Sequence, residues 1–258
     1  MSRTAPETIY GGLLDEIAAV VHGRRALDEF SLQLLKRRAD ALTKVDVAEG
    51  LEIQGYLHFL RDESAKGAEL IERAISLSSH KPSILIRYLK ICEFSGHFDR
   101  IFEIYSRFGH VVEGNPDATR ELMRVLVHNG YLSAADALRS ALYRMKVGAD
   151  DVQYAAGERL LTASAEETKF TDDESSAAVQ FVRKYLHGRG VQASKFGVSA
   201  IFGDDERDSG LLFEIGVGES PVRTAEIEWD VFSELAKQDF PVEASGKLIF
   251  ALRSCEGE

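Results

Sequence analysis

Basic side chains at helical spacing are the residues of this sequence with the clearest binding chemistry. Arg120 and Arg124 are four residues apart, so a helix would place both on one face. Arg87 and Lys90 are three residues apart in an earlier apolar segment. Clustered cations bind carboxylates through charge-assisted hydrogen bonds, which predicts a site for an acidic or amphipathic protein segment. The alternative is that these are ordinary solubilising charges, some of them paired with nearby glutamates.

Other candidate chemistries fit the sequence less well. The acidic run 204–208 lacks the alternating ligands and the later Glu of a calcium loop. Gly246-Lys247 lacks the flanking residues of a phosphate-binding loop, and the seven histidines lack zinc-type spacing. We therefore predict no catalytic residue, no metal and no cofactor, and we expect that the protein is not an enzyme. An enzyme built on the C-terminal segment is a weaker alternative.

A 34-residue period organises the part of the chain that carries these cations. Asp62, Gly96 and Gly130 are 34 residues apart, and so are Pro82 and Pro116. A period of this length is typical of a helix–turn–helix repeat that stacks into a solenoid. Each Pro suits the first turn of a helix, and each Gly suits a tight turn with positive φ.

The repeats resemble the tetratricopeptide repeat (TPR) family over about residues 48–187. The run 130–134 (Gly-Tyr-Leu-Ser-Ala), with the apolar residues that follow it, is similar to the second-helix signature, and Gly55 fits the small residue of the first helix. The resemblance implies a right-handed α-solenoid whose first helices line a concave groove. The residues that we expect in this partner-binding groove are Tyr56, Phe59, Arg87, Lys90, Arg120 and Arg124.

The flanking segments complete a three-part organisation. Residues 1–47 predict an N-terminal helical hairpin or cap, with Phe30 and Leu34 among its apolar positions and the basic cluster 36–38 on a solvated face. Residues 48–189 predict the TPR-like array. Within it, a fourth repeat begins near residue 150 and has a polar insertion at 164–176.

Residues 190–258 predict a small acidic ββαβ domain, because the apolar period changes to two after Gly190. Strands are expected at 196–202, 211–217 and 247–253, in a sheet that we expect to be antiparallel. A helix should begin at Ser220-Pro221, with one apolar stripe formed by Val222, Ala225, Trp229, Phe232 and Leu235.

Charge and composition limit the function classes. The net charge is −11, and residues 191–258 contribute 6 Lys+Arg against 14 Asp+Glu, a net of −8. We therefore expect no direct nucleic-acid binding. With no signal peptide, no membrane-spanning run and two cysteines, we expect a cytoplasmic protein without membrane contact.

These observations favour a non-catalytic scaffold or adaptor that binds a protein or peptide partner in the concave groove. The alternative is an inhibitor or immunity-type protein, whose acidic C-terminal domain masks a basic surface of a toxin, an enzyme or a nucleic-acid-binding partner. A homodimer formed through the C-terminal domain is a further expectation.

Overall fold

The computed structural model describes residues 6–21, 26–78, 81–146, 171–201, 210–238, 240 and 248–255. The protein is mostly helical and has a small three-stranded sheet. The helices are Pro6–Val21 (α1), Glu29–Thr43 (α2), Val47–Phe59 (α3), Ser64–Leu77 (α4), Pro82–Phe94 (α5), Arg100–Phe108 (α6), Pro116–His128 (α7), Leu132–Arg144 (α8), Asp172–Gly188 (α9) and Pro221–Leu235 (α10). The strands are Ala193–Ile201 (β1), Gly210–Val217 (β2) and Leu248–Ser254 (β3).

Packing divides the chain into two compact units. The first consists of Met1–His97 with Phe108–Val111, and the second of Phe98–Arg107 with Val112–Glu258. Helices α1 to α5 therefore belong to the first unit, and α7 to α10 belong with the sheet to the second.

The same helix-ending turn occurs three times, at positions that are 34 residues apart. Asp62, Gly96 and Gly130 all have positive φ, at 58°, 75° and 81°. In each case the next residue donates its backbone N–H to the carbonyl five residues back, at 2.9, 2.8 and 3.0 Å. This bond is the mark of a Schellman cap, which ends a helix and reverses the chain. The expected Gly turns are confirmed, and Asp62 takes the same conformation because Asp tolerates it better than most side chains.

Helix α3 lies at the centre of the first unit, and glycines let α4 approach it closely. A Cβ added at Gly55 would lie 2.9 Å from the Gly67 carbonyl oxygen, and one at Gly67 would lie 2.8 Å from that of Gly55. The two backbones therefore touch, and neither position has room for a side chain. Pro82 and Pro116 open α5 and α7 as expected.

The sheet of the second unit has the order β1-β2-β3 and is mixed. Strands β1 and β2 are antiparallel, with Phe196 opposite Ile215, but β3 is parallel to β2, with Phe213 opposite Phe250. The expectation of an antiparallel sheet is therefore wrong for β3. Helix α10 connects β2 to β3, and a crossover of this kind returns the chain to run parallel.

One hydrophobic core is shared by the sheet, by α10, and by the helices α8 and α9, which precede the sheet in the sequence. It includes Val179 and Val182 of α9, Phe213 of β2 and Val231 of α10, together with Leu132 of α8. A small sheet with one helix buries little apolar area by itself, so this shared core supplies support that the ββαβ segment needs.

The last part of the predicted polar insertion, from residue 171, forms the N-terminus of α9. Thr171 and Glu174 form a capping box, in which the Glu174 N–H donates to Thr171 Oγ1 at 3.3 Å and the Thr171 N–H donates to Glu174 Oε2 at 3.0 Å. The expected insertion is therefore wrong for 171–176, because acidic residues at a helix N-terminus stabilise the helix. The described residues do not include the rest of that insertion or the first helix of the fourth repeat.

Asp172 caps a helix other than its own. Its carboxylate accepts the backbone N–H groups of Ser133 at 2.7 Å and Ala134 at 3.0 Å, in the first turn of α8. The N-cap residue of α8, Tyr131, makes no side-chain cap bond. Asp172 therefore satisfies donors that α8 leaves open and ties α8 to α9.

We expect Asp172→Ala to lower the free energy of unfolding by about 1–2 kcal/mol, the usual cost of losing a charged helix cap. The matched control is Asp173→Ala, because Asp173 is exposed in the same turn of α9. That control should change stability by less than about 0.5 kcal/mol. Urea denaturation measures both, and equal losses in the two variants would contradict the cap.

Candidate protein-binding surfaces

The predicted groove residues of the first unit differ in exposure. Tyr56 and Phe59 are buried, with exposed fractions of 3% and 2%. Arg87 is held by an ion pair to the fully buried Glu52, whereas Lys90 is exposed. The rings of Tyr56 and Phe59 are buried, so they do not line an open groove surface as the sequence predicts.

Glu52 is the centre of a polar cluster that joins α1, α3 and α5. Its carboxylate accepts the hydroxyl of Tyr56 at 2.5 Å and Arg87 Nε at 2.7 Å. Arg87 Nη2 lies 3.2 Å from the other carboxylate oxygen, which also accepts the hydroxyl of Tyr10. Tyr10 belongs to α1, so the N-terminal helix covers the face of α3 that the sequence predicts to be open.

The electrostatics of this cluster are those of a structural site. Burial raises the pKa of Tyr10 and of Tyr56, and the negative charge of Glu52 raises both further. Burial alone would lower the pKa of Arg87, but its hydrogen bond to Glu52 and the attraction between the two charges outweigh burial and raise it. Both phenols therefore remain neutral donors and Arg87 remains charged near neutral pH. One carboxylate and one guanidinium compensate each other.

Arg120 and Arg124 lie one turn apart on α7, in the second unit. Their side chains are 25% and 50% exposed, and each pairs with an acid of the same helix: Arg120 with Asp117 at 3.0 Å, and Arg124 with Glu121 at 2.7 Å. The opposite side of α7 is buried, through Thr119, Leu122, Met123, Val125 and Leu126. Each pair has one exposed partner, Asp117 at 93% and Arg124 at 50%, and such surface pairs contribute about 0–1 kcal/mol, so an incoming carboxylate could compete with them.

The C-terminal end of α7 is joined to β1 through Arg183 of α9. Its guanidinium lies 4.3 Å from the ring centre of Phe98 and 4.4 Å from that of Phe196, and it donates to Asn129 Oδ1 at 2.7 Å. Phe196 also contacts the ring of His128, the last residue of α7. This cation–π cluster fixes the strand beside the helix that carries the arginine pair.

Helix α10 has two apolar faces, of which one is buried. Its buried face consists of Thr224, Ile227, Val231 and Leu235, four residues at helical spacing. Val222 and Trp229, which the sequence places on the core-facing stripe, are 73% and 75% exposed. The predicted single stripe is therefore wrong. The exposed face forms a shallow depression lined by Pro221, Val222, Ala225, Glu226, Trp229 and Asp230.

Helix α2 also presents apolar residues outward. Phe30 is 79% exposed and Leu34 is 44% exposed, although the sequence places both on the inner face of the hairpin. Lys36 and Arg37 are exposed on the same helix, as expected for a solvated face. Arg38 is the exception, because it pairs with Glu16 of α1.

Two kinds of feature escape sequence reasoning here. The partners of Glu52 are far apart in the chain, since Tyr10 is 42 residues away, and spacing does not show such a contact. The outward face of α10 does have a sequence signal. The apolar residues Ala225 and Trp229 are each followed directly by an acidic residue, Glu226 and Asp230. A second stripe of this type indicates a surface and not a core.

Comparison with known proteins gives no relative. No protein-family model, no curated protein and no solved structure matches the chain. The TPR resemblance therefore remains a prediction. Within the described ranges, no group of His, Cys, Asp or Glu is placed to hold a metal ion, and no helix is both long and apolar enough to cross a bilayer.

Proposed function

We propose that the protein is a TPR-like adaptor that binds an acidic segment of a partner protein. The observation that carries this proposal is the identical Schellman turn at Asp62, Gly96 and Gly130. The helices on either side of the first and third turns pack as hairpins, and repeated hairpins are the unit from which helical binding scaffolds are built.

The finer architecture belongs to the same proposal. We take the hairpins to stack as a right-handed solenoid, in which first helices are neighbours of first helices. The packing of α3 against both α4 and α5 supports this arrangement in the first unit. In the second unit α7 packs against α8 as the next hairpin.

The arginine pair of α7 is the site that we assign to the acidic segment. Two guanidinium groups one turn apart offer N–H donors to carboxylates, and their present ion pairs are at least partly exposed to water. The predicted contributions of Tyr56, Phe59 and Arg87 are not part of this site, because their side chains are engaged in the first unit. Lys90 remains an exposed cation of the first unit.

We expect charge reversal of the pair, Arg120→Glu with Arg124→Glu, to weaken the binding of an acidic segment by about 2 kcal/mol or more. The probe is a fluorescein-labelled Asp/Glu-rich peptide with a free C-terminal carboxylate, measured by anisotropy. Its Asn/Gln counterpart shows how much of the binding is electrostatic. The fold should persist because both arginine side chains are partly exposed, at 25% and 50%.

The matched control is Arg144→Glu, an exposed arginine on α8 of the same unit. This variant also lowers the net charge, so it reports the general loss of attraction without the site. Equal effects of the control and of either single reversal, Arg120→Glu or Arg124→Glu, would reduce the pair to ordinary surface charge. An acidic peptide that does not bind the unmodified protein would exclude this ligand class.

A further inference from the structure

Helix α1 packs on α2 and α3 in the first unit, but it buries few side chains there. Between residues 9 and 21 of this helix only Leu13 and Ile17 are buried. In α3, by contrast, ten of the thirteen residues are buried. Segments with few buried apolar side chains open at a lower free energy than the core does. Helix α1 is therefore held more weakly than the helices beneath it.

Two adjacent glycines weaken α1 further, and its packing does not require them. Gly11 and Gly12 lie in the interior of the helix, where each lowers helix stability relative to alanine. A Cβ added at Gly11 would meet no atom within 4 Å, and one at Gly12 would meet only Arg38 Nη2, at 3.7 Å. That distance is ordinary contact, so both positions have room for a side chain. These glycines differ from Gly55 and Gly67, which let two backbones touch.

Polar contacts give the weakly held helix a specific position. Tyr10 donates its hydroxyl to Glu52 and accepts Arg87 Nη2 at 2.5 Å, and the guanidinium lies 5.6 Å from the centre of the tyrosine ring. Glu16 forms an ion pair with Arg38 of α2. The surface under α1 therefore offers a carboxylate and two guanidinium groups, each of which is matched by a group of α1.

The residues of α1 that make these contacts form one stripe. They occupy positions i, i+3, i+6 and i+7 of the helix: Tyr10, Leu13, Glu16 and Ile17. Anchors at this spacing are typical of an amphipathic helix that lies in a groove of another protein. The surface of α2, α3 and α5 thus fits a hydroxyl, two aliphatic side chains and a carboxylate in a fixed order.

We infer that α1 is a detachable, autoinhibitory cover, and that the surface beneath it binds an amphipathic helix of a partner protein with the same stripe. The partner helix must displace α1, so its apparent affinity is the intrinsic affinity reduced by the fraction of chains in which α1 is open. This surface belongs to the first unit, and the inference does not depend on the acidic ligand that we assign to α7.

Hydrogen exchange of the full chain tests whether α1 detaches. We expect the amides of α1 to exchange at least about tenfold faster than those of α3. The double substitution Gly11→Ala with Gly12→Ala should slow exchange in α1 by at least about tenfold and leave α3 unchanged. Equal protection of the two helices, or equal slowing of both, would mean that α1 opens only when the whole unit unfolds, and would overturn the inference.

A peptide tests the surface beneath α1. The probe is a fluorescein-labelled copy of residues 6–21 that carries Gly11→Ala and Gly12→Ala, which make it more helical, and anisotropy measures its binding to the full chain. A Tyr10→Phe chain should bind this peptide at least about fivefold more tightly than the unmodified chain, because its own α1 has lost a hydrogen bond that the peptide still offers. A chain with Gly11→Ala and Gly12→Ala should bind it at least about tenfold more weakly.

The matched control is Gly188→Ala, at the last residue of α9 in the second unit. A Cβ at Gly188 would also meet no atom within 4 Å, so this variant should bind the peptide like the unmodified chain. Equal affinities of all the variants would place the peptide outside the position of α1 and overturn the inference. Failure of the Tyr10→Phe chain to bind the peptide would overturn it as well.

Two further measurements test the chemistry of the occupant. A peptide that also carries Tyr10→Phe should bind at least about fivefold more weakly, and equal binding would contradict recognition of the hydroxyl. Sedimentation velocity of the Tyr10→Phe chain should show a monomer. A dimer that forms only when α1 is opened would assign the surface to the α1 of a second copy and overturn its assignment to a partner helix.

Discussion

Arg87→Met should lower the free energy of unfolding by about 3–5 kcal/mol, because it leaves the carboxylate of Glu52 buried without its cation. Glu52 is fully buried, and Arg87 Nε lies 2.7 Å from it. A carboxylate in that position loses the hydration that it has in the unfolded chain, and only the guanidinium compensates its charge. Urea denaturation, followed by circular dichroism, measures the loss.

Lys81→Met is the matched control, since Lys81 also bonds a glutamate of α3. Its ammonium lies 3.1 Å from Glu49, but the lysine side chain is 49% exposed. Water solvates the ammonium, although the Glu49 side chain is only 12% exposed, so we expect a loss of about 1–3 kcal/mol, smaller than that of Arg87→Met. A loss of similar size in both variants would mean that burial does not decide the cost.

A second variant separates the charge from the packing. Replacing the whole cluster by apolar groups, with Tyr10→Phe, Glu52→Leu, Tyr56→Phe and Arg87→Met together, removes every polar group that needs a partner. Stability should return to within about 2 kcal/mol of the unmodified protein, because apolar replacement of a buried ion pair is often neutral. If the fourfold variant is less stable than Arg87→Met alone, the cluster is required for its specific geometry and not for charge balance.

The parts of the fold that the sequence predicts are those with local causes. Pro82 opens its helix because it has no N–H to lose, and Gly130 ends a hairpin turn because a positive φ suits glycine. Each of these causes acts within a few residues, so spacing alone shows the 34-residue unit. The helix that begins at Ser220-Pro221 and the strand at 211–217 have the same kind of local signal.

The parts that the sequence does not predict depend on contacts between distant segments. Asp172 caps α8 from 39 residues away, and a sequence gives no sign of a cap supplied by another helix. Strand β3 is parallel because of where α10 returns the chain, not because of its own residues. The candidate groove shows the same limit: Arg120 and Arg124 follow from helical spacing, but spacing does not show that Tyr56 shares the carboxylate of Glu52 with Tyr10 of a separate helix.

Gly130→Ala should destabilise the protein by about 2–5 kcal/mol, through two costs that add. The residue has a φ of +81°, a conformation that costs a side-chain-bearing residue about 1–2 kcal/mol. A Cβ at this position would also lie 2.8 Å from the Ser175 carbonyl oxygen and 2.8 Å from the Ser176 Cα, both of them backbone atoms of α9. Relieving that overlap means moving α9 away from the turn, which costs about 1–3 kcal/mol more.

Gly114→Ala isolates the first of these costs. Gly114 has nearly the same φ, +77°, but no atom lies within 4 Å of its added Cβ. We expect this variant to lose about 1–2 kcal/mol, the cost of the backbone conformation alone. The difference between the two variants then measures the close approach of α9 to the turn, which the bond from Ser175 Oγ to the Gly130 carbonyl at 2.5 Å also holds in place. Hydrogen exchange should show the additional loss in 172–188 for Gly130→Ala only, and equal losses of stability in the two variants would mean that α9 yields without cost.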